Sequence, residues 1–166
     1  MTTFAELAPR PTWHFICQHP AHFIAFGFGS GLLSRAPGSV GTLVAIPIYW
    51  LFAPQLAAWQ FLLFLILLFA LGVWACDVAS RALGVADYSG LVWDEIVAFL
   101  FVLAFTPPTL LWQVFAYVCF RVFDIAKPPP IGLIDRRVKG GFGVMLDDSI
   151  AAFYAVLAIA VATRLL

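Results

Sequence analysis

The stretch WDEIVAFLFVLAFTPPTLLWQVFAYVCFRVFDIAKPPP, residues 93–130, decides how the rest of the chain is arranged. Two apolar runs flank the uncharged link Thr106-Pro107-Pro108, and each run carries acids at its outer end: Asp94 and Glu95 on the first, Asp124 on the second. If the prolines turn the chain back, these acidic ends meet on one side of a bundle. If the prolines only kink one long helix, the acids lie about 30 Å apart across hydrocarbon and cannot share a site. A shared site therefore requires the hairpin, and the hairpin is the expectation.

Outward from this stretch the chain stays apolar. Hydrophobic residues make up 63% of 166 residues and charged residues 11%, against roughly 45–50% and about 25% in a soluble domain, and the mean hydropathy is +0.99. There are too few polar side chains to cover a water-facing sphere, so a soluble monomer is disfavoured, and the length suits one domain, residues 1–166. Nine basic residues balance nine acidic ones, so no positive field draws in nucleic acid. Cys17, Cys76 and Cys119 lack CxxC spacing and read as reduced packing residues. The opening MTTFAELAPRPTW lacks the early apolar core of a cleaved signal peptide.

Five apolar blocks follow: Val40–Ala53, Ala57–Cys76, Gly90–Phe105, Thr109–Phe123 and Ser149–Thr163. A full span needs about 20 residues, which only the second block meets comfortably; the others read as short, tilted or shallow helices. The links Pro54-Gln55 and Thr106-Pro107-Pro108 carry no charge. The remaining connectors hold Arg10, Arg35, Asp77, Arg81, Asp87, Lys127, Asp135, Arg136, Arg137 and Lys139. With the uncharged links turning at the far side, all of these return to one face, whose excess of Lys and Arg makes it cytoplasmic; Arg164 alone is left on the other. The expected fold is all-α: a multi-pass membrane helical bundle of about four to five short hydrophobic helices, with charged loops on one face.

Asp94-Glu95 and Asp147-Asp148 each stand where a helix edge runs into an apolar stretch, and ionisable groups there need partners. One acid per helix would serve capping and the helix dipole; two on each of two helices exceed that need. Their surroundings match, with Gly90 and Gly143 four residues upstream and Ala98-Phe99 and Ala152-Phe153 downstream. Such paired carboxylates can hold one or two hard divalent ions. Asp124 and Lys127, three residues apart on one face of a helix end before three prolines, offer either an ordinary ion pair or a further ligand beside a substrate-binding cation. His14, His19 and His22 lie far upstream in the sequence and no Cys neighbours the acids, so zinc-type ligand sets are absent. Carboxylate ligands suit magnesium or manganese, and magnesium commonly shares its coordination with a substrate phosphate.

Residues 27–42, GFGSGLLSRAPGSVGT, are rich in glycine. Backbone amides near Gly29 and Ser30, with Arg35 as a bidentate donor, could cradle a phosphate; close helix packing is the alternative reading. A P-loop Lys and a soluble GxGxxG are missing, so nucleotide binding finds little support. No His follows residue 22 to act as a nucleophile, no DxDx motif is present, and no Asp precedes Asp-Gly by three residues. Metal-activated water remains.

In GFGSGLLSRAPGSVGTL, DYSGLVWDEIVAF, FRVFDIAKPPPIGLIDRR and GGFGVMLDDSIAA, which run in order from Gly27 to Ala152, the sequence resembles the phosphatidylglycerophosphatase A family. The resemblance implies a magnesium-dependent phosphatase of the bacterial cytoplasmic membrane that removes the terminal phosphate of phosphatidylglycerophosphate. It places Asp94, Glu95, Asp124, Lys127, Asp147 and Asp148 at the family's acidic and cationic positions, with Ala98 and Ala152 where Gly is common. Asp94, Glu95, Asp124, Asp147 and Asp148 are then the expected metal ligands, and Asp94, Asp124, Lys127 and Asp148 the expected catalytic residues. Gly29, Ser30, Arg35, Lys127, Arg136 and Arg137 are the expected substrate contacts, although Arg136, Arg137 and Lys139 serve equally as topology signals. A small channel or transporter with acidic ion-binding residues is the alternative; it would carry its acids nearer mid-membrane.

Overall fold

The computed structural model describes residues 11–33, 35–85 and 88–165, without the side chains of Asp135 and Arg136. Arg10 and Asp87 of the expected charged face lie outside the described residues. The described chain is helical and contains no strand. Two short helices, α1 (Trp13–Cys17) and α2 (Pro20–Ala25), lead through a 3₁₀ segment, Gly27–Leu32, to α3 (Pro37–Phe52). There follow α4 (Ala58–Leu83), α5 (Trp93–Ala104), α6 (Leu110–Ala126), α7 (Ile131–Arg137) and α8 (Gly140–Leu165).

All five expected blocks are helices, but their ends move. α4 runs on to Leu83 and stops at Gly84, whose φ of 69° supplies a left-handed cap. α8 begins nine residues before the expected block, at Gly140. Both contain 26 residues, about 39 Å of helix, so the expectation that the fifth block is short is corrected. Three helical stretches, Pro37–Gln55, Ala58–Leu83 and Gly140–Leu165, are long and apolar enough to cross a membrane. α5, with 12 residues, covers only about 18 Å.

The Pro107-Pro108 link turns the chain rather than kinking it. Thr106 closes α5 by donating its hydroxyl to the Val102 carbonyl at 2.8 Å, and Thr109 caps α6. α6 then returns antiparallel, so Phe99 of α5 meets Tyr117 and Phe120, and Arg121 meets Glu95. α3 and α4 form the matching hairpin across Ala53–Gln55, with Tyr49 on Phe61 and Phe52 near Phe64.

α5 is apolar nearly all round, as a helix enclosed by others must be: Ile96, Phe99, Leu100, Val102 and Leu103 are fully buried. α3, α4, α6 and α8 pack around it. Outward-facing apolar side chains such as Trp59, Leu67, Leu111 and Val161 are well exposed on the surrounding helices, the pattern of a bundle solvated by lipid rather than water. Arg81, Lys127, Arg137 and Lys139 come to one end of the bundle and Arg164 ends α8 at the other.

Candidate active site

The start of α5 is held by a collar of glycines. Val92 donates its amide to the Ala25 carbonyl at 2.9 Å. A Cβ on Gly27 or Gly41 would collide with the Val92 side chain, and one on Gly31 would strike the Gly90 carbonyl. Gly29 has φ 94° and lies under the Trp13 ring. Phe28, at φ 60°, packs edge-on to Trp93. On the opposite side, the Trp93 indole donates to the Leu68 carbonyl of α4 at 3.1 Å. Gly27, Phe28 and Gly31 therefore fix where Asp94 and Glu95 stand, while Gly29 meets Trp13.

α8 approaches α4 so closely that the Val73 carbonyl and Asp77 leave no room for a Cβ at Gly141, and Met145 none for one at Gly72. This packing carries the helix through its glycine-rich start and places Asp147 and Asp148 well inside it. Capping thus accounts for neither of them: the free amides of a helix belong to its first turn.

The two pairs meet in a cavity of about 330 Å³ walled by the start of α3, the start of α5, the end of α6 and the α8 acids. Asp94, Glu95, Asp124, Lys127, Asp147 and Asp148 all line it. Ligand oxygens of Asp94, Glu95 and Asp148 lie within 4.8 Å of one another. Asp94, Asp147 and Asp148 are 8%, 6% and 4% exposed, and the buried Asp148 Oδ2 has no hydrogen-bond partner among the described residues. Lys127 ends α6 in the left-handed conformation, φ 42°, and its Nζ donates to Asp147 Oδ2 at 2.6 Å.

Sequence reasoning missed Arg121. Its Nη1 donates to Asp124 Oδ2 at 2.5 Å and to Glu95 Oε1 at 3.3 Å, tying α6 to α5 inside the cavity. The available signal was an arginine one helical turn before Asp124 in an otherwise apolar run. Gly38 was also missed: it lines the cavity, and a Cβ there would occupy the place of the Glu95 carboxylate.

The glycine-rich stretch divides at this point. Ala36, Pro37 and Gly38 line the cavity, whereas Gly29 and Ser30 do not; both are buried in the collar. Arg35 is exposed and Arg137 is exposed, and neither is a wall of the cavity. The Arg136 side chain lies outside the described residues.

Five carboxylates and two cations line one small cavity, a formal excess of three acidic groups over basic ones. The donors are all oxygens, three of them are clustered, and one buried oxygen lacks a donor. Such a set fits a hard divalent cation.

The family model for phosphatidylglycerophosphatase A matches residues 23–163, which include every wall of this cavity. The chain belongs to that family. A Haemophilus influenzae phosphatidylglycerophosphatase A is 42% identical over 143 residues, covering 85% of this chain and 87% of that protein. The Escherichia coli K12 phosphatidylglycerophosphatase A is 40% identical over 139 residues, covering 81% and 78%. No solved structure is significantly similar to the chain. Ala98 and Ala152 are both buried where α5 and α8 pack together.

Proposed function

We propose that this protein is a magnesium-dependent lipid phosphatase that hydrolyses the terminal phosphomonoester of phosphatidylglycerophosphate, releasing phosphatidylglycerol and phosphate at the cytoplasmic face of a bacterial inner membrane. The observation that carries the reading is the clustering of Asp94, Glu95 and Asp148 within 4.8 Å in a cavity of negative excess. Left to itself, such a cavity repels a phosphomonoester dianion. A divalent ion reverses that sign, so substrate affinity and metal affinity are coupled.

Asp94, Glu95 and Asp148 would hold magnesium, or manganese in its place. When bound, the ion supplies Lewis-acid polarisation of the phosphoryl group and activation of a water. Lys127 and Arg121 present fixed donors to the equatorial phosphoryl oxygens, where charge gathers in the transition state. Asp124 and Asp147 orient these two cations through the pairs at 2.5 and 2.6 Å. Asp124 also stands where it can accept the proton of the attacking water or add an oxygen ligand. The Lys and Arg excess of the charged loops sets the orientation and supports the cytoplasmic assignment. Family membership favours this chemistry over ion transport.

The test is phosphate release from phosphatidylglycerophosphate by the purified protein with magnesium and then with EDTA. Release is expected only with the metal, and Asp94→Asn is expected to abolish it. Absence of metal-dependent release, with an unchanged rate in Asp94→Asn, would end the proposal.

A further inference from the structure

Arg121 and Ile125 line the acidic cavity and also line a second, apolar groove of about 490 Å³ on the outer side of α6. Its remaining walls are Ser39 of α3 and Tyr117, Val118, Val122 and Ala126 of α6. Val118, Val122 and Ile125 recur at helical spacing and are 51%, 55% and 72% exposed, so they form one apolar stripe. The Tyr117 hydroxyl donates to the Ser39 carbonyl at 3.3 Å and ties the two helices together beside the groove. Two other apolar grooves, between α3, α4 and α5 and between α4, α5 and α8, share no wall residue with the acidic cavity.

We infer that the groove between α3 and α6 is the lateral opening of the site, and that an acyl chain of the lipid phosphomonoester lies in it while the phosphate occupies the cavity. This rests on the phosphatase reading and adds where the lipid portion of the substrate is held. Continuity of the two walls and their polarity point to this occupant. The occupant must be charged at the Arg121 end and apolar along the α6 stripe, which is the chemistry of a membrane phospholipid. Arg121 and Ile125 join the two halves, and Gly38 keeps the junction open, since a side chain there would meet both the Glu95 carboxylate and the Arg121 guanidinium. Specificity for long-chain lipids then comes from α6 rather than from the acids.

The test uses the full-length protein in phosphatidylcholine vesicles containing a phosphatidylglycerophosphate with a diazirine midway along one acyl chain. After photolysis, label is expected on residues 117–126, reduced severalfold by unlabelled phosphatidylglycerophosphate and unaffected by additional phosphatidylcholine. Val122→Trp and Val118→Trp, both at exposed positions, should remove this label. They should raise KM for the long-chain substrate roughly tenfold with little change in kcat, while Ile66→Trp in the groove between α4, α5 and α8 does neither. Label spread equally over α4 and α8, label that survives both tryptophan variants, or ready cross-linking of two copies through Val122→Cys would overturn the inference. If the parent protein releases no phosphate while competed labelling persists, the phosphatase reading fails and the groove assignment stands.

Discussion

Asp94-Glu95 and Asp147-Asp148 look interchangeable in sequence, yet the fold uses them differently. The first pair occupies the opening turn of a helix of 12 residues that is held by a collar of glycines. The second lies inside a helix of 26 residues, beyond the reach of any free helical amide. Within the second pair the duties also divide: Asp147 is matched to Lys127, whereas Asp148 keeps a buried oxygen without a donor. Adjacent carboxylates therefore have unlike surroundings, Asp147 steadying a cation of the protein and Asp148 free of that duty and, in the proposed reading, a ligand of the divalent ion.

The sharpest way to break this comparison is to neutralise each member in turn. Asp148→Asn is expected to lower phosphate release by about 10²- to 10³-fold, the usual scale for removing a group that stabilises charge in the transition state. It should also abolish the rise in melting temperature on adding magnesium, a rise worth about 2.7 kcal/mol at a hundredfold excess over Kd. Without metal, the same variant should melt higher than the parent, because one of several crowded negative charges is gone. Asp147→Asn should shift the metal-free melt the opposite way. Activity falls about 10- to 100-fold, as for loss of an orienting partner, and the metal-free protein melts lower. The loss should be about 1–2 kcal/mol, below the 3–5 kcal/mol of a fully buried pair, since the Lys127 side chain remains 30% exposed. Opposite signs in thermal melts without metal would establish the division; equal signs would dissolve it.

Two glycines sharpen the same contrast between positioning and chemistry. Gly38→Ala should reduce activity about tenfold by displacing the Glu95 carboxylate, with a small change in stability. Gly29→Ala forces a side chain into φ 94° and the Trp13 ring, and should cost about 1–3 kcal/mol of stability while the folded fraction keeps its magnesium affinity. Kinetics and melting curves on both variants separate the effects. Arg35→Ala should have the smallest effect, within about twofold in KM, as expected of an exposed side chain off the cavity. A tenfold rise in KM would return Arg35 to the site.

The candidate site was largely legible because ionisable residues in an apolar chain are conspicuous: Asp94, Glu95, Asp124, Lys127, Asp147 and Asp148 are all walls of one cavity. The α5–α6 hairpin followed from requiring two of these acidic ends to meet. Arg121 escaped because a single arginine in an apolar helix also fits a side chain reaching out to solvent; only α5 brought alongside shows it gripping Glu95. The early start of α8 escaped because GGFG is a poor helix former on its own, and its helical state comes from contact with α4. The two roles of the glycine-rich stretch were likewise hidden, since what touches Gly29 and Gly38 depends on residues distant in sequence, Trp13 and Glu95.

The brevity of α5 has a consequence for the membrane itself. Trp93 is bonded to Leu68, ten residues along α4, so the acids stand only about 15–18 Å above the uncharged turns. A hydrocarbon layer is about 30 Å thick. With those turns at its far boundary, the acidic cavity of the proposed phosphatase would lie well below the water line of an undeformed bilayer, so the leaflet above it would have to dip, which keeps the acids at a local lipid boundary and not within hydrocarbon. Water and phosphate would descend together into that dimple, so bilayers of longer-tailed lipids, which resist thinning, should slow the reaction without altering a single side chain.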